Sequence, residues 1–402
     1  MNKPLVKPVH ASQPQSASPF VEADYSLQTL LGGMSVEKFL AEYWHKKPLL
    51  VRQALPNFGA WLNRDSLSEL AGLDNSESRL VQFKRGKCQL EYGPFEPKFL
   101  QALPKRGWSL LVSGVNHLLR EADWLLHQFD FIPAARLDDL MVSFAPPGGG
   151  VGPHFDSYDV FLIQGQGRRR WEISSQDDLT VVEGAPLRIL QQFRVDAAWE
   201  LDPGDMLYLP PQLAHNGVAL TDCMTWSVGF RAPKVEEIVG QFLTYLQDQL
   251  DLPGIYSDPD LKPQKHVAEI PDSMVEWAEH SIKAAMQWKK ADIVDFLGRY
   301  LSEPKPHVYF DPPIRPKSLA TFTRIIQEKG LALDSRSQML FRGGAFFMNG
   351  EHIETSPAMH SVLKALADQR YLLPDKCAAG PEMTALLYLW YQAGYLFPAE
   401  SK

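Results

Sequence analysis

The stretch from Asp139 to Pro233 constrains this chain most. Gly and Pro cut it into short extended runs that suit neither a long helix nor a parallel sheet. Met141-Val-Ser-Phe-Ala reads as a strand and is broken by Pro146-Pro-Gly-Gly-Gly. Gly152-Pro-His-Phe-Asp-Ser-Tyr-Asp-Val-Phe-Leu-Ile-Gln-Gly follows as one long extended run, rich in aromatic and β-branched residues. A turn at Gly165-Gln-Gly167 leads into Arg168-Arg-Arg-Trp-Glu-Ile-Ser, and Pro203-Gly204-Asp205 turns into Met206-Leu-Tyr-Leu-Pro. Met224-Thr-Trp-Ser-Val-Gly-Phe-Arg ends the series. Short strands between such turns predict an antiparallel barrel or jelly roll.

A chain of 402 residues exceeds one compact core, so further domains flank this barrel. Residues 1–25, rich in Ser, Pro, Gln and Ala, read as a mobile tail. Residues 26–233 read as the barrel with an N-terminal α/β elaboration. In it Ser35 caps a helix carrying Val36, Phe39, Leu40, Tyr43 and Trp44, a strand lies at Ser109–Val112, and a helix runs through about 117–129. From 234 to 303 the period becomes helical. Ile238, Val239, Phe242, Leu243, Leu246 and Leu250 form one stripe, and a second helical stretch covers about 274–302. Pro304, Pro306, Pro312, Pro313 and Pro316 mark the entry to a module at 304–402. There, helices near 317–329, 357–368 and 381–393 accompany strands around Leu340–Arg342 and Ala345–Met348, a set compatible with a winged helix. The class is α+β multidomain.

Composition excludes several functions. The formal net charge of −8 argues against binding nucleic acid through its phosphates, and no direct nucleic-acid contact is expected. Cys88, Cys223 and Cys377 make neither a disulfide framework nor a thiolate zinc site and suit a reducing compartment. The N-terminus lacks a secretory signal and no run of about 18 apolar residues exists, so a cytoplasmic chain without a membrane span is expected.

His154 and Asp156 lie two apart in an expected strand, so their side chains leave one face. His215, beyond Leu209-Pro-Pro-Gln-Leu-Ala at the end of a later strand, completes a set of two imidazoles and one carboxylate. Such a set leaves open positions on an ion, as in the facial triad of non-haem Fe(II) oxygenases, which admit a bidentate co-substrate and dioxygen. His-x-Asp alone is weak, and histidines satisfied within a core are the plain alternative. The chain even repeats the pattern in His352-Ile-Glu354 with His360. There, however, Thr355-Ser356-Pro357 reads as a helix start, and no glycine-rich approach precedes it. Around 154–156, the glycines at 148–150 and 152 and the independent Pro-Gly-Asp-strand-His segment agree with a metal site.

A 2-oxoacid co-substrate needs a cationic clamp for its far carboxylate, and a guanidinium suits it. Alternation turns inward either Arg169 alone or Arg168 with Arg170, unless the run is only a solvated basic edge. Ser143 offers a hydroxyl to the same carboxylate, or is a plain core or surface serine. Tyr158 shares the ligand face under strict alternation and reads as a pocket wall or a barrel-core tyrosine. His45, His117, His127, His266, His280 and His307 are dispersed and ask for no function. Tyr388, Trp390, Tyr391 and Tyr395 read as helix packing.

These segments closely resemble the JmjC ribosomal oxygenases: Gly148 through Phe161, Gly165 through Trp171, Pro203-Gly-Asp205 through His215, and Ser227-Val-Gly-Phe-Arg-Ala-Pro233. They are most similar to the bacterial branch that hydroxylates an arginine of a large-subunit ribosomal protein (number sixteen of the L series). The resemblance is tight over about 139–233 and looser over about 26–402. It implies a double-stranded β-helix, a helical dimerisation segment and a C-terminal winged helix. It also implies Fe(II) held by His154, Asp156 and His215, and 2-oxoglutarate held by Arg169 and Ser143, with dioxygen as second co-substrate. No catalytic side chain beyond the metal centre is implied. The implied partners are the ribosomal protein as substrate and a second copy in a homodimer. A histidyl hydroxylase and a non-catalytic cupin-type metal-binding barrel are the rival readings, although cupins usually carry His-x-His with a downstream Glu. Histone demethylation fits the motifs less well.

Overall fold

The computed structural model describes residues 26–58, 61–84, 87–378 and 380–399, so the tail expected at 1–25 lies outside the described residues. The described residues form two compact units, the first within Met1–Ala232 and Lys305–Phe310, the second within Pro233–Pro304 and Asp311–Lys402.

Among its described residues the first unit is built on eleven strands: β1 Leu49–Val51, β2 Glu77–Lys84, β3 Lys87–Tyr92, β4 Trp108–Ser113, β5 Leu137–Ala145, β6 Val160–Gln166, β7 Arg169–Ser174, β8 Ala197–Leu201, β9 Met206–Leu209, β10 Ala214–Ala219 and β11 Cys223–Phe230. Eight form one antiparallel sheet in the order β1-β9-β6-β11-β5-β4-β2-β3, and three form a smaller sheet, β10-β7-β8.

Alternation along the large sheet separates its two faces. Leu140, Val142 and Phe144 of β5, Phe161 and Ile163 of β6, and Trp226, Val228 and Phe230 of β11 pack into a core shared with helices on the outer face. One of these helices is Val36–Glu42, capped by the Ser35 hydroxyl accepting from the Lys38 N–H. The intervening residues Met141, Ser143, Val160, Leu162 and Ser227 face the barrel interior and line its cavity. Val160, Leu162, Leu207 and Leu209 there meet Trp171, Ile173 and Leu201 of the small sheet, which closes the barrel. This is the antiparallel barrel that the turn spacing predicted, in the double-stranded β-helix form that the resemblance implied.

One expectation fails in a useful way. The run from Gly152 is not one strand, because β6 begins only at Val160. Gly152 has φ +81, and Pro153 lacks an N–H to give to a ladder. The segment crosses between the sheets as a bend, fixed by a single antiparallel bridge from His154 to His215. His215 in turn lies at the start of β10, not at the end of a strand.

The second unit holds the helices Val235–Gln249, Asp272–Ala285 and Lys290–Ser302. The expected second helical stretch is thus two helices. The break falls before Lys289, whose N–H is taken by the Asp292 carboxylate at 2.6 Å, so a new helix starts there. The stripe on the first helix is divided: Phe242 and Leu246 are buried against Phe296, whereas Val239 and Leu243 are exposed. The winged-helix part packs Leu319–Lys329, His360–Gln369 and Pro381–Ala393 around a core that includes Phe322, Leu363, Trp390 and Tyr391. Its hairpin joins Met339–Arg342 to Ala345–Met348. Tyr388 and Tyr395 pack against the same core, so the C-terminal aromatics are helix packing as read.

Candidate metal centre

Backbone pairing brings the ligand set together. The His154 N–H donates to the His215 carbonyl at 2.9 Å, and the His215 N–H returns a bond to the His154 carbonyl at 2.8 Å. Their rings stand 4.2 Å apart between centroids. The Asp156 carbonyl accepts from the Gln212 N–H at 2.7 Å, which ties the bend to the loop before β10. Asp156 Oδ2 then lies 4.0 Å from His154 Nε2 and 3.6 Å from His215 Nε2. One donor atom from each residue falls within 4.8 Å of the others, and no other such group of three His, Cys, Asp or Glu occurs among the described residues.

The donor chemistry fits a bivalent metal. His154 Nδ1 is 2.9 Å from the Gly152 carbonyl and His215 Nδ1 is 2.9 Å from the Leu213 carbonyl. A carbonyl only accepts, so each Nδ1 carries the proton and each Nε2 offers its lone pair beside Asp156. Burial first, and the nearby His154 second, push His215 down to about 4 against the pull of Asp156, so it stands as a neutral imidazole ready to ligate. Glycine makes room for this approach: a Cβ on Gly150 would stand 2.4 Å from the Gly217 carbonyl oxygen.

The interior resolves the arginine question. Arg169 is buried, whereas Arg168 and Arg170 are exposed and pair with Glu200 and Glu172. Arg169 Nη1 donates to Ser143 Oγ at 3.2 Å, which leaves the serine hydroxyl free to donate onward. Its Nε and Nη2 are buried with no hydrogen-bond partner. These two nitrogens lie on one edge of the guanidinium, the edge that grips a carboxylate with two parallel bonds. Leaving such buried donors unmade is costly, so a free charged edge turned to the cavity points to a carboxylate ligand.

A cavity of about 490 Å³ joins the triad, Arg169 and Ser143 to a wall that sequence reasoning missed. That wall carries Glu77, Asp138 and Asp139, with Lys305 reaching in. Lys305 Nζ is 3.0 Å from Asp138 Oδ1 and 3.7 Å from Asp139 Oδ2. Burial pushes the Asp139 carboxyl above its usual range, against the pull of Lys305. Burial draws the Lys305 ammonium down, but Asp139 and Asp138 draw it up by more, so it stays charged. Acidic residues at a strand start and a lysine far along the chain carry no pattern that would have announced them.

Tyr158 lines this cavity, although the strand alternation that suggested it does not exist there. Its ring and Asp139 Oδ1 flank Gly229, 4.0 and 3.9 Å from where a Cβ would stand. The bend is anchored behind by fully buried Asp159, which accepts from the Tyr208 hydroxyl at 2.5 Å and pairs with His45 Nε2 at 3.0 Å. His45, read as needing no explanation, is therefore part of the support for the ligand segment. The second His-x-acid motif gathers no metal set. His352 Nδ1 sits 2.5 Å from Asp295 Oδ1, and His360 Nε2 sits 3.2 Å from Thr355 Oγ1.

Known proteins share this fold. The JmjC domain family matches residues 124–238, and the ROXA-like winged helix matches residues 285–397. The Escherichia coli (strain K12) ribosomal protein uL16 3-hydroxylase is 35% identical over 369 residues, which cover 89% of this chain and 96% of that one. This chain belongs to the JmjC ribosomal oxygenases. As a ribosomal oxygenase it is an enzyme of the 2-oxoglutarate-dependent class. The E. coli ribosomal oxygenase YcfD, solved in complex with cobalt and 2-oxoglutarate, is similar at a TM-score of 0.77 and 34% identity, over 90% of this chain and 98% of that chain. A probable ribosomal oxygenase of Haemophilus influenzae is 38% identical over 232 residues, 56% of this chain and 54% of that one. No helix among the described residues is long and apolar enough to cross a membrane.

Proposed function

We propose that this ribosomal oxygenase uses Fe(II), 2-oxoglutarate and dioxygen to hydroxylate the β-carbon of an arginine in a large-subunit ribosomal protein. The observation that carries this reading is the single cavity joining a two-His, one-Asp donor set, an unpartnered buried guanidinium edge and an acidic wall. The name of the E. coli relative, a ribosomal protein uL16 3-hydroxylase, supports the substrate. Bound at the triad, iron with 2-oxoglutarate supplies dioxygen activation coupled to loss of carbon dioxide and formation of succinate.

The side chains of this chain do the positioning. His154, Asp156 and His215 would hold the metal through two imidazole nitrogens and one carboxylate oxygen. Arg169 grips the far carboxylate of 2-oxoglutarate through Nε and Nη2, while Ser143 steadies Nη1 and donates its own hydroxyl. Asp138 and Asp139 attract the substrate's cationic side chain, and the Tyr158 ring covers its aliphatic stem. An acidic enzyme meeting a basic ribosomal protein gains in encounter rate. A ribosomal substrate supports a cytoplasmic enzyme.

The half-stripe of Val239 and Leu243, left exposed on the helix Val235–Gln249, is the face for a second copy in a homodimer. Sedimentation of Val239→Glu with Leu243→Glu is expected to give a monomer, and an unchanged assembly would reject this face.

The test of function incubates anaerobically iron-loaded protein with 2-oxoglutarate, air and the ribosomal protein, with Asp156→Ala as control. The readouts are succinate and the substrate's mass by tandem spectrometry. One oxygen added to an arginine and lost in the control is expected. An oxygen on a histidine would select the histidyl reading. Succinate without substrate oxidation would keep the oxygenase and discard this substrate. Neither product from folded, metal-bound protein would leave a non-catalytic barrel.

A further inference from the structure

We propose that Arg79 is a substrate-binding residue: its guanidinium donates to a main-chain carbonyl of the polypeptide whose side chain enters the cavity. The assignment rests on the proposed hydroxylation at a β-carbon, and it adds what holds the main chain of that substrate.

Arg79 comes to the cavity by alternation along β2. Glu77, Arg79 and Val81 line the interior, while Leu80 belongs to the outer core. Arg79 stands opposite Leu111 of β4, and Leu111 stands opposite Ser143 of β5. Two strand spacings, about 10 Å, therefore separate its backbone from that of the serine beside Arg169. The two guanidinia enter the cavity from different places.

Arg79 is left without a strong acceptor. Its Nε is buried with no hydrogen-bond partner, and its Nη2 points at Met141 Sδ, a weak acceptor, 3.6 Å away. The other cations lining the cavity are accounted for. Lys305 pairs with Asp138 and Asp139, Arg188 is exposed and lies over the Phe155 ring, and Arg169 donates to Ser143 beside its carboxylate-gripping edge. Unmade donors on a half-buried guanidinium call for an acceptor that arrives with a ligand.

The neighbours decide which acceptor that is. An anionic group would meet Glu77, Asp138 and Asp139 in the same cavity, and like charges oppose it. A peptide carbonyl is uncharged and accepts through two lone pairs. The need is reciprocal. A β-carbon is bonded to its own main chain, so a substrate presenting that carbon to the metal donors brings its main chain into the cavity too. A carbonyl withdrawn from water there requires a donor. Arg79 also shares the surroundings of Tyr158: burial first, then Asp156, Asp139 and Asp138, push the tyrosine hydroxyl up, and Arg79 opposes them.

The experiment measures, by calorimetry, how tightly the full chain loaded with cobalt and 2-oxoglutarate binds a peptide of the ribosomal protein. Companion peptides carry one ester in place of each amide bond around the arginine, which weakens that carbonyl as an acceptor. Arg79→Met is expected to weaken the parent peptide about ten-fold or more and to leave 2-oxoglutarate affinity within about two-fold. One ester is expected to cost the wild type about five-fold and Arg79→Met nothing, because the partner is already gone. Arg79→Lys keeps the charge without the planar fork, so a smaller loss and a smaller ester penalty are expected; it serves alone should the methionine variant fail to fold. Unchanged parent affinity in Arg79→Met, ester penalties of equal size in variant and wild type, or a wild type indifferent to every ester would overturn this role. A wild-type enzyme that neither binds nor oxidises the parent peptide would instead defeat the proposed substrate, so the two failures are distinct.

Discussion

His154-Phe-Asp156 and His352-Ile-Glu354 place the same ligand types at the same spacing, each with another histidine downstream, yet they come to different ends. At the first, a backbone bridge sets His154 directly across from His215. Both Nδ1 atoms are spent on carbonyls, so both Nε2 atoms converge on Asp156. At the second, His352 lies on the short strand Glu351–Ile353 and gives Nδ1 to Asp295, while His360 opens a helix and turns to Thr355. Ligand spacing is thus necessary and cheap. What makes a site is convergence of atoms that no neighbour has already engaged.

Substitution at each acid should separate the two motifs most sharply. Asp156→Ala is expected to lower metal affinity more than about 100-fold and abolish succinate formation, whereas Glu354→Ala should keep both within about two-fold. Cobalt titration and succinate assay read this, and equal effects at the two positions would erase the contrast.

The clamp provides the next test, since only the first motif stands beside an unpartnered guanidinium. Losing a two-pronged charge-assisted bond of about 2–3 kcal/mol should weaken 2-oxoglutarate binding about 100-fold in Arg169→Met. Arg170→Met, which removes only an exposed pair with Glu172, should change it about two-fold or less. Calorimetric titration of 2-oxoglutarate into the metal-loaded protein distinguishes these, and a large effect at Arg170 would reassign the clamp.

Acid should also act through the first motif. In the unfolded chain His215 titrates near its usual value, but in the folded metal-free protein its group is held at about 4 by burial and by His154. The unfolded state therefore binds the extra proton first. Stability of the metal-free protein is expected to fall as pH drops from about 6.5 to about 4 and to lose no more from this group below that. Melting curves over this window, compared with His215→Asn, check the sign.

The smallest effect belongs to the second motif. His352→Gln should cost about 1 kcal/mol of stability through its bond to Asp295 and leave metal affinity unaltered. A metal-dependent melting shift lost in this variant would show a second site.

The barrel class was legible because turn residues are local, and the triad was legible in its ligand types and glycine-rich approach, although the alternation expected at His154 and Asp156 gave way to a bend. Ser143, open in the sequence between a carboxylate contact and a plain serine, turns to the cavity because Val142 and Phe144 on either side are committed to the outer core. Strand assignment failed where local pattern was overruled. Apolar residues through 155–163 mimic one strand, but Gly152 and Pro153 and the need to cross between sheets make a bend of its first half. Tyr158 consequently reached the cavity by a route that alternation did not describe. The short strands Leu331–Leu333, Glu351–Ile353, Tyr371–Leu372 and Leu396–Pro398 had too few residues to show a period at all.

By itself the sequence determined which chemistry was available: two imidazoles, a carboxylate, a run of three arginines and the turns that build an antiparallel barrel. Tertiary structure decided which of these groups work together. It buried Arg169 and left Arg168 and Arg170 to solvent, and it set Lys305 on Asp138 and Asp139 from a distant part of the chain. It also placed His45 and Tyr208 behind the ligand bend. The physical reason is that periodicity reports the direction of a side chain relative to its own strand. Burial, pairing and an unmet hydrogen bond depend on what the rest of the fold brings against it.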